Sequence, residues 1–259
     1  MNKIFLDEPF ISLWKEKDVF GEIATLSGEE FRRVKSRRTF RSEVDGKGFF
    51  IKHHLGVGWG EIIKNLLQFK KPVIGARGEF EAIRALEKAG VPTMKCAGFG
   101  ERFFNPAAKE SFIITCELSG MVSLEDLFNS QEVSPSMRRD IIRRLGRSVG
   151  KMHACGVNHR DCYICHFLRS PETGELHVID LHRAQIREKV PFRYAVKDVA
   201  GILFSAMDLK LTLRDVALFY REYKKAGNVD SASFRKAVVY TAQKLYFKEH
   251  GKEPPQILK

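Results

Sequence analysis

The sequence predicts an α+β chain in two lobes, a small β-rich first half followed by a larger helical half. Three observations carry this. The runs FRRVKSRRTFRSEV and KGFFIKHH are rich in β-branched and aromatic residues and meet at Asp45-Gly46, a hairpin-turn dipeptide. From Ser134 the period becomes helical, with Met137, Ile141, Leu145, Val149 and Met152 on one face. No fixed-period repeat or low-complexity linker separates the halves, so residues 1–259 read as one domain, with lobes 1–118 and 119–259.

Taken in order, the first lobe reads as strands with one or two helices. GVGWG at 56–60 is a turn into a helix. A helix over about 78–89 stops at Gly90, with Pro92 just beyond. SFIITCEL is a buried strand. In the second lobe, Ser134 is the expected N-cap and Pro135 the first helical residue. CHFLRS and ELHVID are β-like pieces joined through Pro171 and Gly174. Helices resume at Asp198 and at Thr212, where Thr212 and Asp215 resemble a capping box and Gly227 supplies the stop.

Hydrophobic residues at 44% and charged residues at 29% exclude a disordered chain. The opening MNKIFLDEPFISLW carries acids and a proline where an export signal needs an unbroken apolar run, and no stretch approaches a membrane span. An intracellular protein is the expectation, and its five cysteines are then free thiols. The 44 Lys and Arg against 32 Asp and Glu leave a net charge of +12, which attracts polyanions.

Phosphoryl transfer requires a carboxylate near the acceptor hydroxyl, a carboxylate on Mg²⁺ and a lysine on the nucleotide phosphates. His159-Arg160-Asp161 matches the start of the protein-kinase catalytic loop, which makes Asp161 the candidate base. Asp180, closing the ELHVID strand, stands where the metal-binding carboxylate belongs, and Lys52 ends a strand as the phosphate lysine should. Glu79 shares a helix face with Ile83 and Leu86, whereas Glu81 points away, so Glu79 is the expected partner of Lys52. Each fragment alone arises by chance. Their order, with these element types between them, predicts a protein-kinase-like fold using ATP and Mg²⁺.

Cys162-Tyr163-Ile164-Cys165-His166 also reads as a haem-attachment, redox or zinc motif. The absence of an export signal and of a second cysteine pair favours coincidence within a kinase loop. Two departures from the kinase pattern stand out. His166 occupies the position where a second Mg²⁺ oxygen ligand is expected, and a packing role for its ring stays open. No glycine-rich loop precedes Lys52; instead Lys35, Arg37, Arg38 and Arg41 lie on the first hairpin, either to neutralise phosphates or as a solvated basic face.

RRTFRSEVDGKGFFIKHHLGVGWGEIIKN, GVPT, NHRDCYICHFL, VIDLHRAQ and, more weakly, VKDVAGILFSAMDL together resemble the lipopolysaccharide core heptose (I) kinases of Gram-negative bacteria. The resemblance spans most of the chain and includes His166 and the DLH triplet. It implies ATP-dependent phosphorylation of a heptose hydroxyl in the inner core, at the cytoplasmic face of the inner membrane. It also implies that Asp180 and His166 hold metal, that Glu117 and Leu118 offer backbone groups to adenine, and that Asp198 ties down the catalytic loop. The acceptor is an anionic glycolipid, which suits the basic surface, and the stretch WGEIIKNLLQFKK at 59–71 is expected either to lie on membrane or acceptor or to pack within its lobe. FRKAVVYTAQKLYF leaves room for a lipid or carrier protein, and an acidic acyl carrier protein is a partner of matching charge. Nucleic acid is not expected. The rival readings are a Ser/Thr/Tyr protein kinase, an aminoglycoside-type small-molecule kinase and a non-catalytic pseudokinase.

Overall fold

Asp45 and Gly46 both adopt the left-handed conformation, φ 50° and 69°, as a tight two-residue hairpin turn requires. They join β3 (Arg37–Val44) to β4 (Lys47–His54), with Thr39 opposite Lys52. The structure is a computed structural model describing residues 3–34, 36–68, 72–130, 133–228 and 230–256. It divides into two units, Met1–Ile83 with Met94–Ser119, and Arg84–Thr93 with Gly120–Lys259.

The first unit is a six-stranded antiparallel sheet in the order β1 (Lys3–Leu6), β5 (Cys96–Arg102), β6 (Glu110–Cys116), β4, β3, β2 (Glu29–Val34). Side chains alternate along β4, so Phe49 and Ile51 are buried in the core while Lys52 points to the opposite face. Phe10 of α1 (Phe10–Leu13) and Phe20 and Ile23 of α2 (Val19–Thr25) complete that core. Phe10 meets Phe49 edge-on at 4.9 Å, and Phe20 meets Phe112 at 5.3 Å. The expectation of one or two helices before residue 118 falls short of the four α-helices described there. α1 is four residues long and lacks a capping side chain, so it leaves little periodic signal. β5 was also hidden, because Gly98 and Gly100 dilute its β character; Gly100 is required because the Phe112 ring occupies the space a Cβ would take.

Gly56 and Gly58, at φ 88° and 73°, turn the chain into α3 (Gly58–Leu67). α4 (Arg77–Lys88) ends as its sequence predicts. Gly90, at φ 64°, donates to the Glu87 carbonyl and Val91 to the Leu86 carbonyl, capping the last turn.

The second unit holds α5 (Leu124–Ser130), α6 (Pro135–Ala154), α7 (Phe192–Ser205), α8 (Leu213–Lys225) and α9 (Ala232–His250). Ser134 caps α6 by accepting from the Met137 amide, and Thr212 with Asp215 forms the expected capping box. β9 (Phe167–Arg169) lies between β7 (Val122–Ser123) and β10 (Leu176–Val178), and β8 (Val157–Asn158) pairs with β11 (Gln185–Ile186). The start of α7 differs from expectation: it lies at Phe192, so Asp198 is inside the helix rather than opening it. Pro191 precedes that helix without a capping side chain, and a buried acid can be mistaken for a cap from sequence alone. Among the described residues no helix is long and apolar enough to cross a membrane.

α6 crosses α8 closely because Gly146 and Gly150 face it. A Cβ on Gly146 would lie 2.5 Å from the Phe219 carbonyl oxygen. Gly146→Val should therefore cost about 1–3 kcal/mol by overpacking, or on the order of 2–10 °C in melting midpoint. Thermal melts followed by circular dichroism test this, and an unchanged midpoint would mean that the two helices separate freely.

Candidate active site

In the second unit the catalytic loop is held by one buried carboxylate. Asp198 Oδ2 accepts from the His159 amide at 2.7 Å, and Oδ1 accepts from the Arg160 amide at 2.9 Å. His153 of α6 adds Nε2 at 3.2 Å from Oδ2, and its Nδ1 lies 2.8 Å from the Tyr223 hydroxyl. Burial pushes the Tyr223 phenol up, which keeps that hydroxyl protonated as a donor. Pinned in this way, Arg160 keeps φ 76°, a conformation L-residues rarely adopt.

Asp161 follows directly, its side chain 17% exposed, with Oδ1 accepting from Arg183 Nη1 at 2.7 Å. Its own carbonyl lies 2.7 Å from His166 Nδ1. A carbonyl only accepts, so Nδ1 carries the proton and Nε2 the lone pair. That lone pair is 3.9 Å from Asp180 Oδ2. The His166 ring also stacks on His159 at 5.5 Å, so packing and an open nitrogen coexist in one residue. Burial pushes His159 below the ordinary imidazole range, and its Nε2 lies 2.9 Å from the Ile179 carbonyl. Asp180 lies two residues past the end of β10 rather than closing it, in the left-handed conformation at φ 55°, ψ 55°. His182 Nδ1 holds its Oδ1 at 2.8 Å.

Among the described residues no group of three or more His, Cys, Asp or Glu is placed to hold an ion. Of the pair Asp180 Oδ2 and His166 Nε2, only the Asp180 carboxylate is the hard oxygen donor that Mg²⁺ favours; the His166 imidazole is a poorer ligand for it. Burial raises Cys162 well above the ordinary thiol range and pushes Cys165 up to about 11, so both are protonated thiols at neutral pH.

In the first unit, Lys52 Nζ lies 2.8 Å from Glu79 Oε1, with the Glu79 side chain 2% exposed. Glu81 is exposed and pairs instead with Arg77 at 3.6 Å. Glu117 meets Arg41 through two bonds of 2.8 Å, and hydrogen bonding from Arg41 holds its carboxyl below the usual range. The Glu117 amide donates to the Gly48 carbonyl at 2.9 Å, and Leu118 beside it is half-buried. The basic hairpin is partly committed: Arg41 to Glu117, and Arg38 to Glu30 at 2.8 Å. Lys35 lies outside the described residues.

Sequence reasoning passed over His153, His182 and Arg183. The last two stand within VIDLHR, directly after Asp180, where a local signal existed. His153 gave none, because its partners lie 45 and 70 positions away.

The sequence model of the lipopolysaccharide kinase (Kdo/WaaP) family matches residues 22–223. The lipopolysaccharide core heptose(I) kinase WaaP of Pseudomonas aeruginosa is 48% identical over 230 residues, covering 85% of this chain and 86% of the relative. The protein of the same name from Escherichia coli K12 is 49% identical over 227 residues, covering 84% and 86%. A solved structure described as WaaP in complex with acyl carrier protein superposes with a TM-score of 0.80 at 40% identity, covering 94% of this chain and 99% of that one. The expected fold and resemblance are thereby borne out: this chain belongs to the lipopolysaccharide kinase (Kdo/WaaP) family and is a kinase-like, ATP-dependent phosphotransferase.

Proposed function

We propose that the protein phosphorylates a heptose hydroxyl of the lipopolysaccharide inner core, with Asp161 as base. The observation that carries this reading is the loop His159–His166, which brings Asp161, the open His166 nitrogen and Asp180 together in a family of lipopolysaccharide kinases. The Asp161 carboxylate receives the acceptor proton as the hydroxyl oxygen attacks the γ-phosphorus. The bond from that phosphorus to the bridging oxygen breaks, and ADP leaves. Arg183 occupies one Asp161 oxygen, so Oδ2 is the accepting atom. Lys52, oriented by Glu79, pairs with nucleotide phosphates, and the Glu117 carbonyl with the Leu118 backbone meets adenine. Asp180 Oδ2, with His166 Nε2 beside it, would hold Mg²⁺, which supplies positive charge to the phosphate oxygens when bound.

Two surfaces support the partners. α3 buries only Ile62 and exposes Trp59, Ile63, Leu66 and Leu67, an apolar face with Lys64 beside it, suited to lying on an anionic bilayer surface. Lys70 and Lys71, which extend the basic stretch, lie outside the described residues. An acyl carrier protein is the proposed protein partner, supported by the net charge of +12 and by the carrier protein named with the similar structure. An apolar cavity lined by Leu145, Val199, Ile202, Leu203, Val216 and Phe219 offers an alkyl chain a matching environment.

Asp161→Asn should fold normally and lose about 10²–10⁴ in turnover. Incubation with labelled ATP and a deep-rough core acceptor measures it; near-normal turnover would overturn the assignment, and label appearing on a generic protein substrate instead would favour a protein kinase. Asp180→Ala, or chelation of Mg²⁺ by EDTA, should abolish transfer, whereas His166→Asn should retain it, since Asn supplies the harder oxygen ligand. Loss of transfer in folded His166→Asn would give the ring a role beyond ligation. Trp59→Ser with Leu67→Ser should reduce co-sedimentation with anionic vesicles several-fold without changing the melting midpoint, and equal sedimentation would remove α3 from the membrane contact.

A further inference from the structure

Beside Asp161 the chain gathers arginines of which the phosphoryl-transfer scheme uses only Arg183, to occupy one carboxylate oxygen. The short β8–β11 ribbon pairs Asn158 with Gln185 and Val157 with Ile186. Just beyond this ribbon Arg183 bonds Asp161, the neighbour of Arg160, and from the other end Arg187 reaches back to Asn158 while its amide bonds the Gly156 carbonyl. The backbone that presents Asp161 therefore also brings Arg160, Arg183 and Arg187 to one place.

Their charges are poorly compensated. Arg183 bonds the single carboxylate of Asp161. Arg187 donates to Asn158 Oδ1 and Gln185 Oε1, both neutral acceptors, and its guanidinium sits 4.4 Å from the Tyr194 ring centroid. The Arg160 guanidinium has no hydrogen-bond or ion-pair partner among the described residues, although it is only half exposed. Burial and the neighbouring Arg183 both pull it below the ordinary arginine range. Three cations gather near the Asp161 carboxylate, which among them only Arg183 bonds, and collecting them costs free energy that an anionic ligand would recover.

We infer that Arg160, Arg183 and Arg187 form an anion subsite beside Asp161 that grips an acidic group of the acceptor, a sugar carboxylate or a phosphate. This rests on the glycolipid-kinase reading and deepens it. Planar guanidinium forks match both oxyanions, and Arg187 is already fixed by its two amide partners. The nucleotide is the less suitable occupant, because Lys52 already serves its phosphates in the proposed scheme, whereas Asp161 and its Arg183 serve the acceptor hydroxyl. Such a grip selects an anionic glycolipid over a neutral sugar carrying the same hydroxyl.

The test compares three deep-rough core acceptors: intact, carboxyl-reduced and dephosphorylated. The full-length wild type should lose kcat/KM on the order of 10- to 100-fold on the one acceptor that lacks the recognised group, and the identity of that acceptor tells carboxylate from phosphate. Arg160→Gly is the informative variant, since glycine adopts φ 76° freely and the loop keeps its shape. It should lose a similar factor on the intact acceptor and cease to discriminate, while KM for ATP stays within two-fold (about the error of such assays). Arg160→Lys should restore part of the discrimination. A variant that discriminates as well as the wild type, or one in which only KM for ATP rises, overturns the subsite and leaves the kinase reading standing. A wild type that transfers phosphate to none of the acceptors overturns both.

Discussion

The geometry of the second unit depends on one carboxylate. Asp198 is buried inside α7 and accepts from two consecutive amides and one imidazole, which together satisfy a charge that would otherwise be costly to bury. Those bonds hold Arg160 in a left-handed conformation, and the reversal it causes carries Asp161 and the Arg160 side chain beside the β8–β11 ribbon. Gly201 on the same helix extends the constraint. A Cβ there would lie 2.6 Å from the Cys162 carbonyl oxygen, so the absence of a side chain lets α7 approach the loop it supports.

The first unit solves a different problem with the same physics. Its sheet buries phenylalanines on one face against α1 and α2, which fixes the strand register. Alternation then puts Lys52 on the opposite face, within reach of Glu79 on α4. A lysine is long and mobile, and a nearly buried carboxylate gives it one preferred position. The Arg41–Glu117 fork similarly ties β3 to the chain just beyond β6, where the backbone leaves the sheet.

Positive charge is distributed unequally in kind. Arg38 and Arg41 in the first unit, and Arg138 and Arg147 in the second, pair with carboxylates and serve architecture. The arginines around Asp161 lean on neutral groups or on a single acid. A net charge of +12 is thus a sum over two populations, one paired with carboxylates and one not.

Much of this was legible in the sequence because it is written in local rules. The Asp45-Gly46 turn, the Thr212–Asp215 capping box, the Gly90 stop and the Ser134-Pro135 start each need only a few neighbouring residues, and each appears where its chemistry places it. The order of Lys52, Glu79, Asp161 and Asp180 along alternating elements was enough to name the fold and, with the longer strings, the family. Glycines hid β5, and a helix without a capping side chain hid the start of α7, since both lack the local signal those rules read. What the tertiary structure alone decided were the pairings between distant positions: His153 with Asp198, Arg183 with Asp161, the tautomer of His166, and the clustering of Arg160, Arg183 and Arg187. Sequence determines which groups a chain possesses and which local turns they favour, whereas a lone pair is oriented and a charge left uncompensated only once packing sets distances between residues tens of positions apart.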